Sequence, residues 1–73
     1  MEENWAKAYQ SGQAIRAEIA REILDQNGVA AVIVNKQDSN YPVFANFEVH
    51  VPAADLEKAQ TILMNEDALK QPE

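Results

Sequence analysis

Apolar and polar positions along the chain follow two periods, and the switches between them mark out the elements. From Asn4 to Gln10 the period is two: Trp5, Lys7 and Tyr9 alternate with Ala6 and Ala8. This predicts a short strand with its small residues toward a core and Trp5, Lys7 and Tyr9 on the opposite face. Ser11-Gly12 breaks the pattern, and Ser11 reads as the N-cap of a helix from about Gln13 to Asn27. Within it Ile15, Ile19 and Ile23 recur every four residues with Ala20 and Leu24 beside them, while Arg16, Glu18, Arg21, Glu22 and Asp25 fill the other side. Asn27-Gly28 ends the helix, because glycine accepts the left-handed conformation common at that position.

Val29-Ala30-Ala31-Val32-Ile33-Val34 is apolar on both alternating faces and predicts a strand with little water on either side. The polar run from Asn35 to Pro42 reads as a hairpin loop, and Val43 to Asn46 either lengthens it or begins the next strand. Phe47, Val49 and Val51 then alternate with Glu48 and His50 up to Pro52, which cannot donate to a ladder and favours a turn into a helix. That helix is expected from about Ala53 to Met64. Asp55 lies in its first turn, where the dipole favours an acid, and Leu56, Ala59, Ile62 and Leu63 face inward. Asn65 is a stop, and 66–73 is a polar tail after a single domain of residues 1–65.

The order is βαββα. A right-handed β-α-β crossover leaves its two strands parallel, and a hairpin partner inserts antiparallel between them. This predicts an α+β, ferredoxin-like arrangement without its last strand: a three-stranded sheet in the order first-third-second, with two helices on one face. The expected main core is Phe47, Val49 and Val51 with Ile15, Ile19, Ile23, Leu56 and Leu63.

The same residues resemble a bacterial family. An early Trp5-x-x-x-Tyr9 strand, Arg16-Ala17-Glu18-Ile19 in a helix, and Asn27-Gly28-Val29-Ala30-Ala31-Val32-Ile33-Val34-Asn35-Lys36 come in the order found in small domains of unknown function described as putative prokaryotic signal-transducing proteins. Glu48-Val49-His50-Val51-Pro52, with Asp55 and Ala59, resembles that family's second block, and Asn35 to Tyr41 resembles a loop of one of its branches. The resemblance spans about Trp5 to Leu63. It implies a ferredoxin-like fold and a regulatory role.

Composition narrows the function. At 73 residues the chain is close to the lower limit for a self-sufficient core, and without cysteine it has neither a disulfide nor a thiolate zinc site. The core must pack well or a second subunit must help. Twelve acids against six bases give a net charge of −6, and the bases form no run, so nucleic acid and anionic membrane are poor partners. The acidic start is no secretory signal and the apolar run from Val29 is too short to cross a bilayer, which predicts a cytoplasmic protein.

Three groups of residues are candidates for chemistry. His50 is the only histidine, two residues from Glu48, and could serve in proton transfer. No nucleophile or second base is implied nearby, so the pair reads as structural, with no catalytic residue, metal or cofactor. The loop carries Asn35, Lys36, Asp38, Ser39 and Tyr41. These would suit a docking loop or a modified tyrosine like that of nitrogen-regulatory signal transducers, but the loop is shorter and reads first as a solvated hairpin. No glycine-rich phosphate cradle exists, with only Gly12 and Gly28 in the chain. The third group is the bare sheet face, where Trp5, Lys7 and Tyr9 would lie with Glu48 and His50. The expected function is a non-enzymatic regulatory or protein-interaction domain acting through that face as a homodimer, with Trp5 at or near the interface. The alternative is a small-ligand sensor, binding an amino acid or nucleotide at the loop or the subunit boundary.

Overall fold

The computed structural model describes residues 4–35 and 46–66. Strand β1 is Trp5–Ser11, helix α1 Ala14–Gln26, β2 Val32–Asn35 and β3 Phe47–Pro52; a 3-10 turn over Ala53–Asp55 then leads into α2, Leu56–Met64. The sheet order is β1-β3-β2, and β3 is antiparallel to both neighbours. α1 packs against all three strands and α2 against β1 and β3. Buried residues of both helices share one cluster with Val49 and Val51, so the helices cover one face and, among the described residues, no helix lies over the other. This is the βαββα arrangement expected, with β3 central.

The helix face differs from expectation. The residues of α1 that are fully buried are Ala17, Ala20 and Leu24. Ile15 is 64% exposed, and Ile19 and Ile23 are half-buried. A step of four residues advances about 40° beyond a full turn, so three isoleucines at that spacing wind around the helix instead of stacking on one side. The spacing of three, then four, from Ala17 to Leu24 stays on one face. Its two alanines let the helix backbone come close to the sheet, and Leu24 fills the space at the far end. On α2 the buried pair is Ala59 and Leu63, with Leu56 and Ile62 packed at the flank. Phe47, expected in the core, is half-buried at its edge.

Both ends of α1 are made by local chemistry. Ser11 does not cap it: the cap residue is Gln13, and Ser11, buried in the last position of β1, accepts a 3.0 Å bond at Oγ from the Gln13 N–H. The hydroxyl therefore closes the strand-to-helix turn. At the other end the Gly28 N–H donates to Asp25 O (3.1 Å) and the Val29 N–H to Leu24 O (2.9 Å), with Gly28 at φ 81°. These are the two bonds of a Schellman motif, whose usual hydrophobic contact joins the residues in the positions of Leu24 and Val29, both fully buried in this fold. This explains why β2 starts at Val32 and not at Val29. The first apolar residue after the glycine belongs to the helix terminus.

The largest departure lies in β1. Trp5, Ala6 and Lys7 pair with Pro52, Val51 and His50, but Tyr9 pairs with Val49, and Ala8 has no partner. Ala8 is a β-bulge, and beyond it the alternation of faces is reversed.

The Gly28→Ala substitution isolates the helix terminus, because a Cβ there meets nothing within 4 Å and only the backbone conformation opposes it. We expect a loss of about 1 kcal/mol, the left-handed strain less the entropy that alanine removes from the unfolded chain. The urea midpoint measures it, and an unchanged midpoint contradicts the Schellman assignment.

Candidate functional site on the open sheet face

Directly paired residues of antiparallel strands project to the same side, so the register gives the composition of the bare face. Val49 and Val51 point into the core, which places Glu48, His50 and Pro52 of β3 outward. Opposite them on β1 are Gln10, Lys7 and Trp5, and on β2 Val34 and Val32. Trp5 and Pro52 thus hold one end, Val32 and Val34 one edge, and Lys7, Gln10, Glu48 and His50 the middle.

The middle is a connected polar group centred on Glu48, whose side chain is only 13% exposed. Its Oε1 lies 2.9 Å from His50 Nε2. An ionised carboxylate only accepts, so Nε2 carries the proton and donates. Its Oε2 lies 3.5 Å from the Asn46 side-chain nitrogen and 3.9 Å from Lys7 Nζ. Lys7 also donates to Gln10 Oε1. Lys7 and Gln10 are three apart in a strand and still share a face because Ala8 sits between them as the bulge.

The register brings together Trp5, Lys7, Glu48 and His50 as expected, and separates Tyr9 from them. Tyr9 lies across from Val49 and packs against the buried cluster on the helix side. Expecting Trp5, Lys7 and Tyr9 on one face assumed an unbroken period of two; the extra residue turns Tyr9 inward and Gln10 outward. Asn35 ends β2 opposite Phe47. The other loop candidates, Lys36, Asp38, Ser39 and Tyr41, lie outside the described residues. Gln10, Val32, Val34 and Pro52 were missed. The valines were hidden in a run apolar on both sides, and nothing in the sequence around Ala8 signals a bulge.

Chemically the Glu48–His50 pair is an internally satisfied contact on a flat sheet. Among the described residues no group of three His, Cys, Asp or Glu side chains is placed to hold a metal, and no helix is long and apolar enough to cross a membrane. A shallow, mostly apolar groove of about 330 Å³ is lined by Asn4, Pro52, Ala53 and Ala54. It offers few groups for orienting a polar ligand.

A three-stranded sheet in this order, with both helices on one side, defines a ferredoxin-like α+β domain. The chain belongs to the family described as putative prokaryotic signal transducing proteins, whose model matches residues 5–67. That description names signalling and no reaction. Comparisons with curated proteins and with solved structures gave no match.

If the polar group is structural, the His50→Ala variant keeps its fold, because Lys7 and Asn46 still attend the Glu48 carboxylate. We expect a cost of about 1 kcal/mol, as for a partly solvated pair. A loss above about 3 kcal/mol in denaturant unfolding would mark His50 as a buried-charge partner instead.

Proposed function

We propose that the chain is a non-enzymatic regulatory domain that works by receiving a partner protein on the open face of its sheet. The observation carrying this reading is Trp5, 41% exposed and paired with Pro52 on the side that, among the described residues, no helix covers. Large rings left partly in water on a flat surface are enriched at contact sites. Val32, 45% exposed, extends the apolar character along the other edge.

Charge supports the same reading and describes the partner. The chain carries −6, yet on this face Lys7 offsets Glu48, so most of the excess lies elsewhere. The fitting partner presents a flat, apolar, uncharged surface. Strand spacing and rise give the face an extent of about 300 Å², against about 800 Å² per partner in a standard stable complex. That size suits a reversible encounter, as signalling requires.

Ile15 provides the control, since it is an exposed isoleucine on a helix remote from the open face. Cross-linking in the native host should attach the same partner to the wild-type and Ile15→Glu proteins, and about tenfold less of it to Trp5→Glu. Equal capture by Trp5→Glu, or loss with Ile15→Glu, moves the binding surface away from the sheet.

A further inference from the structure

We propose that two copies of the chain join edge to edge through β2, antiparallel about Ile33, into one continuous six-stranded sheet. The sheet has two edges, β1 and β2, and they differ in kind. β1 carries the bulge at Ala8 and the charge of Lys7, two devices that discourage strand addition. β2 has neither. Its register with β3 is uninterrupted over all four residues, and no charged or proline residue occurs from Val29 to Asn35. Among the described residues no strand lies on its outer side. A regular, uncharged, β-branched edge of this sort is a template for pairing.

The sequence of the edge selects a second copy as the occupant. Two-fold antiparallel pairing requires that residue i face residue j and that j face i. Val32-Ile33-Val34 reads the same in both directions, so a pair centred on Ile33 sets Ile33 against itself and Val32 against Val34 of the other copy. Every such contact is between β-branched side chains, which favour cross-strand pairing. Val32 and Val34 both belong to the open face, so the seam gathers four valines there and covers the exposed surface of Val32. The acidic chains meet where neither carries a charge, and charges farther away are screened beyond about 8 Å at physiological salt.

The alternative, two open faces stacked on each other, is weakened because Tyr9 is on the helix side, which leaves Trp5 as the large apolar ring of the face among the described residues. Edge pairing leaves that face free and doubles its extent to about 600 Å², nearer the size of a standard partner surface. Trp5 then lies on the outermost strands, far from the seam.

The absence of native cysteine makes cross-linking a direct test. Facing Cα atoms in antiparallel strands are about 4.5–5.5 Å apart, inside the range a disulfide spans. Under mild oxidation a mixture of Val32→Cys and Val34→Cys proteins should cross-link several-fold more than either alone, and Trp5→Cys should not cross-link. In sedimentation at high micromolar concentration the wild type should be a dimer, Trp5→Glu should remain one, and Val32→Lys should dissociate about tenfold more readily with unchanged circular dichroism. The Trp5→Glu arm separates this proposal from the partner-docking reading. A monomeric wild type, a Val32→Lys dimer as tight as wild type, or preferential Trp5→Cys cross-linking would each overturn it.

Discussion

One unpaired residue, Ala8, decides what each side of the sheet presents. The cross-strand partners of β3 are fixed by the burial of Val49 and Val51, since shifting a strand by one position exchanges every side chain between core and solvent. β1 satisfies that register at both ends only by giving up one pairing. The result is Trp5 and Lys7 outward, Tyr9 inward and Gln10 outward again. Ala8 suits the extra position because its methyl group packs against the core without crowding Tyr9. The bulge thus makes the face a mixed one, with Trp5 at one end, a polar centre whose charges offset and an aliphatic edge.

The core works within the same economy of small side chains. Ala17, Ala20 and Ala59 are wholly buried between the helices and the sheet. Close approach of backbones there takes the place of bulk, which matters in a chain too short for a deep interior. Leu24 and Val29 are clasped at the Schellman terminus, so the helix end and the core are one construction. Ile15, which looked like part of the core stripe, stays in water.

The fold was legible because element order and hydrophobic period point to the same topology, and chain-crossing rules leave β3 in the middle. The Asn27-Gly28 terminus and the inward alternation of Val49 and Val51 could be read residue by residue. The isoleucine stripe misled because hydrophobicity was weighed ahead of angular spacing on the helix, where Ala17, Ala20 and Leu24 fit better. Half of the candidate face could also be read: Trp5, Lys7, Glu48 and His50 share it. Tyr9 could not be placed, since a bulge is chosen by the partner strand's burial and leaves no mark in its own composition. Val32 and Val34 were concealed for a different reason, as an apolar residue on a bare face looks the same as one in a core.

Membership of a family described as putative prokaryotic signal transducing proteins and a sheet face that no described helix covers are both in keeping with a regulatory domain, and the make-up of that face depends on the reversal at Ala8. Nuclear Overhauser contacts of the Tyr9 ring test that reversal most directly. The structure predicts contacts from the ring to the Val49 methyls on the helix side, and none to the His50 ring or to Trp5. A Tyr9 ring seen against His50 or Trp5 would mean an unbroken β1 and a restored aromatic face, and would contradict the bulge.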